Sequence, residues 1–410
     1  MRFCMVASYY PPYHFGGDAV FVQSLARALV ARGHQVEVVH CEDAYRLKAG
    51  GAKPVELADD GVTVHRLRSP WGALSPLITQ QTGSPGLKTS ALKLIFARHF
   101  DVVNFHNISL VGGLGILPMS KAAVNLYTLH EHWLLCPMHI FWKNGKQACD
   151  KPECIRCCLR SGTPPQLWRN SGFVKKSLLH VDALLSPSVY TARRHEAADL
   201  GPPIHVLPTY SPVRSGLDED AAPDRPRFVY VGRLTASKGI SQLASQFATM
   251  PQYDLDIFGK GELLDELKRR YAACPWIRFP GFVDHTGMAH CYRNATAMIL
   301  PSLAPEVFPL CVLEAFACGI PVIVSDAGGS REAVDFSRAG FVYQTEAELR
   351  NAVVTLAEQR PLRDTLTLRA RAAYEQFYCE DRYLADYLAL IDRIRDQKTP
   401  RCHVLQPAVS

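Results

Sequence analysis

Apolar residues in this chain gather into short runs closed by small or polar residues, with stretches between them where apolar positions recur every three or four. Residues 2–8, 35–40, 101–107, 125–129, 182–186 and 204–207 are such runs in the first half; 227–231, 254–258, 277–283, 297–300 and 322–325 follow in the second. Short runs bounded by turn residues predict buried strands, and the spacing between them predicts helices. In the first helix Val22, Leu25, Ala26 and Leu29 share one face, Asp18 stands where an N-cap is expected, and Gly33 lies past the end. Ser188 is expected to cap a later helix, and Gly328-Gly329-Ser330 another. Alternating strand and helix predicts the α/β class with doubly wound parallel sheets, whose ligands sit at the carboxyl ends of the strands.

The pattern breaks twice. Between residues 43 and 98 Pro, Gly and Ser interrupt it, and no order of elements can be read there. Residues 208–226 hold four prolines, Gly216 and the acidic run Asp218-Glu219-Asp220, a composition expected of an interdomain linker. At 410 residues two domains are the default. The division is then a first domain over 1–207, the linker, a second domain over 227–380, a terminal helix over 381–397 and a disordered tail over 398–410. Leu384, Tyr387, Leu388, Ile391 and Ile394 give the terminal helix its apolar stripe.

Composition narrows the function classes. With 48% hydrophobic and 20% charged residues the chain reads as globular, and a net charge of +6 suits anionic ligands or an anionic membrane surface without arguing for nucleic acid. No apolar run approaches the ~18–20 residues that span a bilayer, so any membrane contact is expected to be peripheral. The N-terminus has no signal-peptide core, and the odd count of 13 cysteines fits a reducing cytoplasm.

The chemistry is expected around the stretch from Pro305 to Pro321. Pro309 is placed as the first residue of a short helix that Gly319 and Pro321 end, so Glu306 lies just outside it and Glu314 inside, roughly 7–8 Å along the axis. The open start of that helix offers unpaired N–H groups and the positive end of a dipole, a seat for a diphosphate. Gly232, Arg233 and Lys238 follow the first strand of the second half, where Arg offers a planar fork and Lys a point charge to the same anion. In the first half, Gly16-Gly17 after the first strand lets backbone approach a phosphate or sugar, and His130 stands at the end of a strand.

Glu306 and Glu314, followed by Ala-Phe-Ala-Cys-Gly-Ile-Pro-Val, resemble the E-x7-E pattern of retaining glycosyltransferases of family 4, and the resemblance covers most of the chain. It implies the GT-B fold, two Rossmann-like domains facing a cleft, with the terminal helix crossing back to the first. It further implies that Glu306 meets the donor sugar, Glu314 the ribose, and the amides of Phe308, Pro309 and Leu310 the diphosphate. Arg233 and Lys238 match the family's G-R-x(n)-K-G step, Gly259 its G-x-G loop near the base, and Gly17 the loop bordering the diphosphate. His130 is implied to lie near the anomeric centre; Glu131 stands after it where many relatives have Asp.

Cys136, Cys149, Cys154, Cys157 and Cys158 fall within 23 residues, a spacing close to structural zinc patterns without matching a standard one. A structural zinc on Cys136, Cys149, Cys154 and Cys157, with Cys158 as substitute, is therefore an expectation, and a packed cluster of reduced thiols the alternative. Some family members carry a similar Trp-x-x-Cys-Pro step, as in Trp133 to Pro137, and the fold generally needs no metal for catalysis. The expected partners are a UDP- or GDP-sugar and a glycan or lipid-linked acceptor, met in the cytoplasm or at the inner face of its membrane, with no nucleic acid. A GT-B epimerase or sucrose-type synthase and an idle nucleotide-sugar-binding scaffold are the competing readings.

Overall fold

The computed structural model of the protein describes residues 1–49, 60–213, 225–283 and 287–398. In the first half the strands are β1 (Arg2–Val6), β2 (Gln35–Cys41), β3 (Thr63–Leu67), β4 (Val102–Phe105), β5 (Val124–Thr128), the short pair β6 (Trp142–Lys143) and β7 (Gln147–Ala148), β8 (Ala183–Ser186) and β9 (Ile204–Val206). All but β6 and β7 join one sheet in the order β3-β2-β1-β4-β5-β8-β9. The second half supplies β10 (Arg227–Val231), β11 (Asp254–Phe258), β12 (Ile277–Gly281), β13 (Ala297–Leu300), β14 (Val322–Ser325) and β15 (Gly340–Tyr343), ordered β12-β11-β10-β13-β14-β15. Every pairing in both sheets is parallel, and the central strands are buried on both faces, which is why they read as continuous apolar runs, whereas the edge strands β3, β9, β12 and β15 are partly exposed.

Each sheet reverses its order at its first strand. β1 lies between β2 and β4, and β10 between β11 and β13. Connections on either side of such a switch point leave to opposite faces, so a crevice opens beyond the strand ends. The segments after β1, β4 and β5 in one half, and after β10 and β13 in the other, border those crevices, and they carry the sequence-predicted polar residues.

The helix Glu380–Lys398 is the last in the chain, yet it packs on the first sheet. Tyr383, Leu384, Tyr387, Ile391 and Ile394 share one apolar cluster with Phe3, Met5, Phe21 and Leu25. Tyr387 Oη accepts a 3.1 Å hydrogen bond from Asn104 Nδ2, and Lys398 Nζ reaches Asp182 at 2.9 Å. The halves also meet directly: Ser188 Oγ donates to the Val307 carbonyl at 2.6 Å, and the Glu332 carboxylate accepts from the N–H groups of Val189 and Tyr190. Glu332 thereby supplies negative charge at the start of the helix Val189–Glu196, whose N-cap is Ser188, as expected.

Several local expectations need correction. Residues 43–98 are ordered into the helix Glu42–Ala49, β3 and the helices Leu74–Thr82 and Thr89–Phe96 among the described residues. Prolines and glycines hid them: Pro76 sits in a first turn, where a missing N–H costs nothing, and Gly83, at φ 67°, ends that helix. Asp18 is the second residue of the helix Gly17–Ala31; Gly16 caps it in extended backbone with no side-chain bond. Pro309 likewise precedes its helix as an extended N-cap, and Leu310 is the first helical residue. Most of the expected linker, with Gly216 and the acidic run, and the expected tail beyond 398 lie outside the described residues.

Candidate active site

Glu306 leaves the β13 segment beside the short turn at Gly328, and two backbone bonds fix it there: its N–H donates to Ala327 and its carbonyl accepts from Gly329. A Cβ at Gly328 would lie 2.4 Å from the Glu306 carbonyl, so only glycine permits this approach. The Glu306 side chain then meets Lys238 Nζ at 2.5 Å and accepts from the Ser302 hydroxyl. Burial pushes this carboxyl up, but the charge and hydrogen bond of Lys238, the Ser302 bond and the charge of Arg233 outweigh it and hold it below the ordinary range. A lysine ammonium has three donors, so two remain for another anion.

Lys238 and Arg233 both come from the segment after β10. Gly239, at φ 68°, closes its single helical turn, and a Cβ there would meet the Pro301 carbonyl at 1.9 Å. Gly259 follows β11 at φ 139°, where a Cβ would lie 1.9 Å from the Gly232 carbonyl. The two strand-end segments thus lie backbone against backbone, and their glycines are required by that approach. The helix Leu310–Ala317 starts beside them. The N–H of Leu310 has no intrahelical acceptor, whereas Pro309 has no N–H at all, so it contributes only its fixed geometry to the expected cradle. Phe308 packs its ring 5.7 Å from Tyr378.

Glu314 lies inside the helix, as expected, with its carboxyl buried. It is only 5% exposed, its Oε2 accepts from Tyr292 Oη at 2.8 Å, and burial raises its carboxyl to about 7 despite that bond. Glu306 and Glu314 therefore differ in kind: one is an ion held by a lysine, the other a carboxyl close to half-protonated at neutral pH.

Across the gap, Gly17 faces the tip of this helix. A Cβ on Gly17 would come 2.8 Å from Leu310 Cδ1. Behind it, His130 at the end of β5 shares a 2.9 Å hydrogen bond between its Nε2 and Nδ1 of His106, which stands at the end of the adjacent β4. Burial lowers His130 to about 4, against an opposing effect of Asp18, and burial with the charge of His130 holds His106 well below the ordinary range. Both rings are neutral at pH 7. One atom of His130 is occupied by His106, which leaves Nδ1 for a ligand.

Sequence reasoning passed over His106 and the polar group beside it. Glu131 Oε2 accepts from Asn107 Nδ2 at 3.1 Å and pairs with His139 Nδ1 at 2.8 Å, while Asn107 also reaches Asp18 at 3.4 Å. His139 adopts φ 70°, an uncommon conformation for a non-glycine residue. The polar end of the 101–107 run was the available signal for His106 and Asn107; nothing along the chain pointed to His139.

Among the described residues no three Cys, His, Asp or Glu side chains are grouped so as to hold a metal ion. The thiols make separate local bonds: Cys149 donates to the Lys151 carbonyl, Cys157 accepts from the Asn144 N–H, and Cys154 faces solvent on the helix whose other face buries Cys157 and Cys158. Burial raises Cys136 to about 11, so it is a neutral thiol at pH 7.

Two family descriptions match the chain, "Glycosyltransferase Family 4" over residues 15–210 and "Glycosyl transferases group 1" over 218–373. An O-antigen biosynthesis glycosyltransferase of Escherichia coli, WbnH, is 37% identical over 109 residues, which are 27% of this chain and 31% of that relative's length. A sucrose-phosphate synthase from Thermosynechococcus elongatus superposes with a TM-score of 0.72 at 20% identity, covering 97% of this chain and 99% of its own. HepE of Anabaena, in complex with UDP and glucose, superposes with a TM-score of 0.66 at 16% identity, over 96% and 99%. The two parallel sheets, the crevices at their switch points and these matches lead to one conclusion: the chain belongs to the family 4 glycosyltransferases and has the GT-B fold.

Proposed function

We propose that the protein moves a sugar from a nucleoside diphosphate sugar to an acceptor hydroxyl with retention of anomeric configuration. The observation that carries this reading is the meeting of Lys238 and Glu306 beside the open start of the helix Leu310–Ala317, opposite Gly17. A diphosphate there takes the free donors of Lys238, the Arg233 guanidinium and the Leu310 N–H. As the glycosidic C–O bond breaks, negative charge grows on the leaving phosphate, and these fixed donors stabilise it. Glu306 orients sugar hydroxyls and Gly259 borders the base.

Positive charge develops at the anomeric carbon in the same step. The His130–His106 pair, neutral at pH 7, can line that carbon without opposing the charge. The leaving phosphate takes the acceptor proton, so attack occurs on the face it departs from. Glu314 reaches the ribose only if donor binding draws its carboxyl from Tyr292. HepE, which binds UDP, and WbnH, which serves O-antigen synthesis, support a nucleotide donor and a polysaccharide acceptor.

A melting-temperature screen against UDP-, GDP- and ADP-sugars tests the donor, since a ligand of the folded state raises the transition. With the donor found, Glu306→Ala should abolish transfer while its circular dichroism matches the parent. An isomerised donor with no transferred sugar would replace this reading with an epimerase.

A further inference from the structure

Three polar residues stand next in the chain to residues already placed at the cleft. Asp18 follows Gly17, Asn107 follows His106, and Glu131 follows His130. Asn107 joins the other two: its Nδ2 donates to Glu131 Oε2 at 3.1 Å and to Asp18 Oδ2 at 3.4 Å, while its Oδ1 accepts from the Ser109 hydroxyl. None of these bonds involves a group that holds the donor.

His139 comes to this cluster from the cysteine-rich segment. Its N–H donates to the Cys136 carbonyl at 2.9 Å, its carbonyl accepts from the His132 N–H at 2.8 Å, and between them the backbone takes φ 70°, a conformation that persists where its surroundings fix it, often at functional sites. The ring meets Glu131 Oε2 through Nδ1 at 2.8 Å. A carboxylate only accepts, so Nδ1 carries the proton, and Nε2 of the neutral ring is left as an acceptor for a ligand. The His139 side chain is 27% exposed, so a ligand can reach it.

Tyr9, 8% exposed, brings a hydroxyl to the same place. Burial and then the charges of Asp18 and Glu131 push that hydroxyl up, so it stays a donor. Neither Tyr9 Oη nor Glu131 Oε1 has a hydrogen-bond partner among the described residues, and buried polar atoms in that state call for a partner from outside the chain. The Tyr9 ring packs edge-on against Phe15 at 5.5 Å, and Phe15 stacks on Tyr45 at 4.8 Å, so partly exposed rings line one side. Lys48 Nζ lies 5.7 Å from the Tyr9 ring; its ammonium, lowered first by desolvation, feels Glu131, Arg233 and Asp18, which sets the cluster beside the donor cradle.

We propose that this cluster is the acceptor seat and that it takes a neutral pyranose: His139 Nε2 accepts from a sugar hydroxyl, Glu131 orients the imidazole for that bond, and the rings of Phe15 and Tyr45 cover the apolar face of the sugar. His139 touches the substrate, whereas Glu131 is a positioning residue. Asp18, Glu131 and Nε2 all accept, so the ligand must bring donors, as hydroxyls do. A phosphate or carboxylate on the same ring would face two carboxylates against the ammonium of Lys48. In transfer, the acceptor oxygen bonds to the anomeric carbon as the bond to phosphate breaks, and its proton leaves with that phosphate. That the seat serves transfer rests on the function proposed above; that it binds a neutral sugar does not.

The test is saturation-transfer NMR of the full chain with methyl hexopyranosides, neutral ones against the glucuronoside and the 6-phosphates, then transfer assays on the same glycosides. The neutral glycosides should bind and accept sugar, and the charged ones ~10-fold or more weakly. His139→Asn, which tolerates the left-handed backbone but falls short of the hydroxyl, and Glu131→Gln should each weaken glycoside binding and raise the acceptor KM ~10-fold, the scale of one lost hydrogen bond, with the melting shift caused by the nucleotide sugar retained. Should His139→Asn melt early, Tyr45→Leu makes the same test through the aromatic wall. Charged glycosides that bind like neutral ones, no glycoside bound, or folded variants that bind like the parent would each overturn the proposal. Selective binding without transfer keeps the seat and defeats the transferase reading; transfer without selectivity defeats the seat alone.

Discussion

Lys238 Nζ lies 2.5 Å from Glu306 Oε1, so the cation expected to hold the leaving phosphate also keeps the carboxylate proposed to orient the sugar ionised. Removing it affects both tasks. Lys238→Ala should lower kcat/KM for transfer roughly 100-fold or more, the scale of one lost transition-state donor, and should lower the melting temperature because Glu306 loses its partner. Initial rates and melting curves at pH 7 check it; a variant unchanged in rate would remove Lys238 from the mechanism.

Glu314 should make stability fall as pH rises. Its carboxyl is raised from 4.5 to about 7 in the fold, so between those values the folded state binds more proton than the unfolded chain. Stability is then full below pH 4.5 and declines toward pH 7, by roughly 3 kcal/mol at about 1.4 kcal/mol per unit. Glu314→Gln, neutral throughout, should flatten this decline. Denaturant midpoints of parent and variant at pH 5 and pH 8 measure it, and parallel curves would contradict the burial argument.

The His106–His130 pair predicts an absence in the pH–rate profile. With His130 lowered to about 4, no limb near pH 6.5 should come from it. Between about pH 4 and 6.5 the folded state binds fewer protons here than the unfolded chain, so this contribution to stability is lost as pH falls through that window. His106→Ala opens the site to water and should return His130 toward its ordinary value. The imidazole C2–H resonances, followed from pH 4 to 8, report it directly.

Two glycines at the cleft should answer differently to alanine. At Gly259 the methyl meets the Gly232 carbonyl at 1.9 Å with φ at 139°, and neither backbone can yield, so Gly259→Ala should cost roughly 2 kcal/mol or more. At Gly17 it meets the flexible end of Leu310 at 2.8 Å. Gly17→Ala should keep stability within roughly 0.5 kcal/mol and raise the donor KM several-fold as Leu310 shifts. Melting curves and KM values for the pair separate the two cases.

Glu332 holds the halves together through the Val189 and Tyr190 N–H groups. Glu332→Ala should cost roughly 1–2 kcal/mol, as for a lost charge-assisted cap. Small-angle scattering should show a larger radius of gyration for the variant; an unchanged radius and melting temperature would mean that the packing around Leu310 suffices.

The alternation of apolar runs already determined the class, two parallel sheets and the placing of Gly17, His130, Arg233, Lys238 and Glu306 at strand ends, because burial on both faces and turn residues leave a local record. The helices between 43 and 98 escaped because the same prolines and glycines that break a pattern also start and stop helices. Only the tertiary structure set His106 on His130, His139 on Glu131 and Tyr292 on Glu314. The physical reason is that spacing along a chain fixes which face a side chain takes, whereas sheet order and layer packing fix which distant faces meet.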